Sequence, residues 1–194
     1  MSAAGEAQPR ERDSLETATR PVQRPADVIA RSALLVGLLF SGLFAGFLLA
    51  VLVLEASMRS LPAAGYVEVR HVELAHLDDL ATVLLPVALL ATATLAVITV
   101  VRRAPGRWLA VTGLVLLAVA LIVSVLVSVP INTEQAMWSA LAPPLDWAEV
   151  RDRWQVAHLA RTIAASCAFL VLAMAAVTQR PTSTRRRRRP KPLA

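Results

Sequence analysis

The stretch SALLVGLLFSGLFAGFLLAVLVL, Ser32 to Leu54, runs for 23 residues without a charge between Arg31 and Glu55. An α-helix needs roughly 20 such residues to cross a hydrocarbon layer ~30 Å thick, whereas a soluble helix keeps a charged face toward water. The same gap recurs three times: 22 residues between Asp79 and Arg102, 26 between Arg107 and Glu134, and 18 between Arg161 and Arg180. The spacing predicts an all-α fold, an integral membrane four-helix bundle with spans at about 32–54, 80–101, 108–129 and 159–179. The ~10-residue alternating segments of a membrane β-barrel do not occur. Composition points the same way, because the 194 residues are 56% hydrophobic but only 5% aromatic, an aliphatic excess that excludes a disordered chain and most soluble domains.

The remaining charges orient the spans. Fifteen of the twenty basic residues fall in the N-terminal stretch, in the second connection (Arg102, Arg103, Arg107) and in the C-terminal stretch, which contains Arg185 to Arg189 and Lys191. The first and third connections instead hold Arg59, Arg70, Arg151 and Arg153 against nine acids, among them Glu55, Glu68, Glu73, Asp78, Asp79 and Glu134. By the positive-inside rule both termini are cytoplasmic and the acidic connections face outward. The expected organisation is a disordered cytoplasmic tail at 1–27, a four-helix membrane domain at 28–179 and a basic cytoplasmic tail at 180–194. The apolar blocks begin too late and run too long for a secretory signal peptide. The basic run beside the last span suits anionic lipid, and no motif or interleaved aromatics accompany it that would suit a nucleic acid. A single cysteine, Cys167, excludes an intramolecular disulfide and with it a dithiol redox enzyme. The scarcity of lysine, Lys191 against nineteen arginines, suggests a high-GC bacterial coding bias and hence an inner membrane.

Within the spans, Gly42, Gly46 and Ala50 form a small-residue row on the first helix, with Gly37 and Ser41 starting a neighbouring row; such faces permit close helix approach. Phe40, Phe44 and Phe47 read as a packed or lipid-facing stripe. Pro86 should bend the second span and Pro130 should end the third. Trp138, Trp147 and Trp154 are placed as interfacial anchors.

Counting about twenty residues at ~1.5 Å per residue from each cytoplasmic arginine puts the outer boundary near Val51, Thr82, Leu126 and Ala160. Glu55, His76, Asp78, Asp79, Asn132, Glu134, His158 and Arg161 then gather at one rim. Helices two and four should extend outward past the membrane. On helix four, Trp154, His158 and Arg161 share a face; on the extension of helix two, either His71 with Asp78 or Glu73 with His76 turns inward. An arginine at the edge of the apolar layer costs roughly 3 kcal/mol unless it snorkels or finds a partner, which makes Arg161 a candidate functional residue. The rim is equally compatible with an ion-paired cap that only closes the bundle.

These residues also carry a resemblance. VPINTEQAMW followed by RDRWQVAHLARTIAASCAFLVLA resembles the closing signature of the anthrone oxygenase-like family of small four-helix membrane proteins, in which a Val-Pro-x-Asn turn precedes a Trp-x3-(Asn or His)-x2-Arg motif. EASMRSLPAAGYVEVRHVELAHLDDLA, from Glu55, resembles that family's first loop and second helix, so the likeness spans roughly residues 30 to 178. The resemblance implies a membrane-bound oxygenase that acts with O2 on a lipophilic, anthrone-like or other natural-product substrate, as in secondary metabolism. Carried over by motif position, Asn132, Trp154, His158 and Arg161 are the candidate catalytic residues, with Glu55 and His71 as further candidates.

In the mechanism these residues suggest, no cofactor is required. A phenol of the anthrone type, once deprotonated, can pass an electron to O2. His158 is expected to take the proton, and Arg161 with Asn132 to hold the oxyanion. The alternative is a metal-dependent oxygenase in which the Glu73-x-x-His76 pair, with His158 and Glu55, holds iron or copper. A non-catalytic membrane subunit or scaffold is the third reading. A transporter is disfavoured because mid-depth polar residues are limited to hydroxyls such as Thr92, Thr94 and Ser124.

Overall fold

The computed structural model describes residues 25–178, which are helical with short connections and contain no strand. Helix α1 spans Pro25–Ser57 and tightens into a 3-10 turn at Met58–Ser60. It stops there because Leu61 precedes a proline, which forces it into the extended region (φ −73°, ψ 145°). Pro62 then opens a separate helix, α2, at Ala63–His76, and a turn at Leu77 leads into α3, Asp78–Val101. The α3–α4 connection reverses through Gly106, whose φ of 80° lies in the left-handed region that a residue without Cβ enters freely. Helix α4, Arg107–Val123, continues through a wide π turn at Ser124–Ser128 into α5, Val129–Ala136. After a loop, α6 runs for 32 residues, Trp147–Thr178.

Four of these helical segments are long and apolar enough to cross a membrane: Pro25–Ser60, Asp79–Val101, Arg107–Ala136 and Trp147–Thr178. They pack in a ring, α1 against α3 and α6, and α4 against the same two. Large aliphatic side chains such as Leu35, Leu90, Leu126 and Leu170 point outward, as suits a surface solvated by lipid. The interior is filled by smaller groups, with Ala88, Ala120, Ala165 and Ala168 around Phe44, Leu48 and Leu117 at mid-height. Since lipid is as apolar as the helices, close van der Waals contact rather than water exclusion has to hold them together. Gly37 and Gly113 provide such contact: a Cβ on either would lie 3.1 Å from Thr92 or Leu172, respectively.

Several expectations change here. The outward extension of helix four is continuous, but that of helix two is broken at Leu77 into a helix of its own. The chain does not stop at Pro130; the proline occupies the first turn of α5, and the π turn before it widens the helix where the ring would collide with the preceding carbonyls. Of the two small-residue rows on α1, the buried one is Gly37–Ser41; Gly42 does press on Phe169, but Gly46 and Ala50 are exposed and a Cβ on Gly46 would touch nothing. The tails expected at 1–27 and 180–194 lie outside the described residues, apart from 25–27 in the first turn of α1.

Candidate functional site

Helix α2 lies at the polar end of the ring, and its Arg70, 3% exposed, ties the other elements together. Arg70 Nε donates to Gln135 Oε1 (2.8 Å) and Nη2 donates to Asn132 Oδ1 (2.8 Å), both on α5. Nη1 bridges two carboxylates, Glu73 Oε2 at 2.7 Å within α2 and Glu55 Oε1 at 3.3 Å on α1. The guanidinium plane lies 4.1 Å over the ring of Trp154 on α6. Every nitrogen of the fork is therefore used, and the planar, multi-donor shape that lysine lacks is what permits it. Gln155 Nε2 completes the second oxygen of Glu55 at 3.0 Å.

A second arginine lies one to two turns farther along α6. Arg161 Nη2 donates to His158 Nδ1 (2.8 Å), and Nη1 donates to Ser124 Oγ (3.2 Å) in the first position of the π turn. On its other side His158 Nε2 meets the Leu48 carbonyl at 2.8 Å. A carbonyl only accepts and a guanidinium only donates, so the partners fix a neutral imidazole with its hydrogen on Nε2. The imidazole stacks on Trp154, centroids 4.7 Å apart, and Trp154 Nε1 donates to Asn132 Oδ1 at 2.6 Å. Trp154 and Trp138 are buried, so they are core residues of this end and not interfacial anchors.

Between the two arginines lies a cavity of about 30 Å3, walled by Phe47, Leu48 and Val51 of α1, Arg70, Glu73 and Leu74 of α2, Leu77 and Ala81, and Trp154, His158 and Arg161 of α6. That space admits one or two water-sized molecules. Glu73 is held above the usual carboxylate range, at about 7, because burial penalises its charge; the bond from Arg70 opposes this, and Glu55 reinforces it. Burial likewise raises the Tyr66 phenol, with Glu55 adding to the effect, so it stays neutral.

Residues 76–171 match the family model described as anthrone oxygenase. The chain carries an anthrone oxygenase family domain. No curated protein and no solved structure matches the chain. The family domain supplies Leu77, Ala81, Trp154, His158 and Arg161 of the cavity wall, together with Asn132; Glu55, Arg70 and Glu73 precede the matched stretch.

Of the residues singled out from sequence, Trp154, His158 and Arg161 do line one cavity. Asn132 is adjacent but outside its wall, accepting from Arg70 and Trp154. His71 is half-buried against the Gln135 carbonyl. The proposed ligand set Glu55, Glu73, His76 and His158 is not assembled: among the described residues no group of three or more His, Cys, Asp or Glu is placed to hold a metal. Glu73 faces inward while His76 is exposed, one oxygen of each carboxylate is held by Arg70, and both nitrogens of His158 are engaged. His76→Ala should accordingly leave the unfolding free energy of the detergent-solubilised protein within about 0.5 kcal/mol of wild type; a larger loss, restored by an added metal, would reinstate the ligand set.

Sequence reasoning counted Arg70 only as a loop charge. Two spacings could have revealed it: Arg70 with Glu73 at i, i+3, and Asn132 with Gln135 at i, i+3 on the facing helix.

Proposed function

We propose that the protein is a membrane-bound oxygenase that uses O2 to oxidise a small lipophilic phenol of the anthrone type. The observation that carries this reading is the coincidence of the family domain with one wall of a buried cavity where two guanidinium groups face apolar side chains. In the overall reaction an activated methylene becomes a carbonyl: one atom of O2 enters the product, and the other leaves as water with the two methylene hydrogens. The cavity has room for O2 itself, whereas a fused-ring substrate requires Phe47, Leu74 and Leu77 to part at the break between α2 and α3. Arg161 is read as the group that holds the oxygen on which negative charge develops, a role that is strongest in a dry pocket. Asn132 and Trp154 are read as positioning Arg70 and His158.

The scarcity of lysine favours a bacterial inner membrane, and the charge bias of the connections favours both termini in the cytoplasm with this site toward the outer face. A lipophilic substrate then reaches the site from the bilayer. The test is oxygen uptake by the purified protein in detergent, with an anthrone as substrate and a chelator present. Uptake above the spontaneous rate, with quinone formed in equal amount, supports the reading; uptake no faster than in protein-free detergent overturns it.

A further inference from the structure

A base that takes a proton from a substrate needs a lone pair that faces the cavity and is not already occupied. Of the side chains in the cavity wall only His158 and Glu73 can accept a proton at neutral pH, since the arginines stay charged. His158 has no such lone pair: Nδ1 accepts from Arg161, and Nε2 carries hydrogen toward the Leu48 carbonyl. Glu73 differs. Its Oε2 is held by Arg70, but Oε1 is buried and receives no hydrogen bond from any described residue. Glu73 is one of the residues that line the cavity, and a buried carboxylate oxygen without a donor carries its desolvation cost unrelieved, so taking up a proton there removes that cost.

We propose that Glu73 is the base of this site and that His158 is a positioning residue that holds Arg161. This rests on the oxygenase reading above. In the step, the substrate's C–H bond breaks heterolytically, the proton moves to Glu73 Oε1, and the electron pair stays on the substrate, spreading to the oxygen that Arg161 faces. O2 then accepts electrons from that anion. Glu55, the other carboxylate on Arg70, lies within hydrogen-bonding reach of Glu73, so the protonated form can share its hydrogen with Glu55 while Arg70 balances the remaining charge. The charged and titratable groups around Glu73 are Arg70 and Tyr66 from α2, Glu55 from α1, and His158 and Arg161 from α6. With the carboxyl held at about 7, ionised Glu73 becomes available as pH rises through neutrality.

The test compares pH–rate profiles of the full-length protein, wild type against Glu73→Gln and His158→Asn. Wild type should lose activity as pH falls below about 7; Glu73→Gln should lower kcat about 10²-fold and abolish that limb, while His158→Asn lowers kcat but keeps it. A limb that survives in Glu73→Gln and vanishes in His158→Asn would return the base to His158 and overturn the proposal. If wild type turns over no anthrone, the oxygenase reading fails, and infrared titration still decides on Glu73. A carboxyl C=O band that titrates between about pH 5 and about pH 9 and is absent from Glu73→Gln supports the proton site. No such band, or one that persists in Glu73→Gln, contradicts it.

Discussion

Arg70→Met should cost the fold about 3–5 kcal/mol, the loss expected when one partner is removed from a buried ion pair. The substitution keeps most of the side-chain length but leaves Glu55 and Glu73 facing each other without their counter-charge. It also takes a donor from Gln135 Oε1 and from Asn132 Oδ1. Because those partners sit on α1, α2 and α5, and Trp154 lies beneath the guanidinium on α6, the whole polar end should loosen together. Arg59→Met is the milder comparison at the network's edge: it removes a half-exposed pair with Asp152, worth at most about 1 kcal/mol, and one bond to Gln155 Oε1 (2.8 Å), together about 2 kcal/mol at most. Arg70→Lys should recover only part of the loss, since an ammonium restores the charge but not the four-way fork. The measurement is thermal unfolding in detergent; equal midpoints for the Arg70 and Arg59 variants would show that the network does not carry the fold's polar end.

Arg161→Met should act on turnover. Its guanidinium is pinned from two sides, by His158 Nδ1 and by Ser124 Oγ at the π turn, so it is already aimed before a substrate arrives. A donor fixed in this way toward an oxygen that gains charge only in the transition state contributes to kcat rather than to KM. Steady-state kinetics should show kcat lower by roughly 10²–10³-fold with KM little changed. A rise in KM at unchanged kcat would mean that Arg161 only binds substrate. The π turn matters here because it places Ser124 Oγ, itself bonded to the Ala120 carbonyl, within reach of α6.

The four spans were legible because a charge-free run longer than about 18 residues has few other physical meanings. Trp154, His158 and Arg161 were legible because helical spacing puts them on one face, and that face does turn inward. The centre of the site was not. Glu73 was noticed, but its i, i+3 partner was sought forward at His76 instead of backward at Arg70, and helical periodicity alone cannot choose between the two directions. The turn at Leu77 also detaches α2 from α3, so helical phase counted along one continuous helix could not say which face of α2 turns inward. Burial decided the rest: an arginine in an acidic connection looks like a surface charge until four elements close around it.

The most direct test of the account is to run the purified protein on an anthrone under 18O2 and to follow the isotope in the product by mass spectrometry, wild type beside Glu73→Gln. One labelled oxygen in the new carbonyl of the quinone, formed faster than in protein-free detergent and about 10²-fold more slowly by the variant, is the predicted result. A product that draws its oxygen from water, or labelled quinone formed equally fast by wild type and Glu73→Gln, would contradict it.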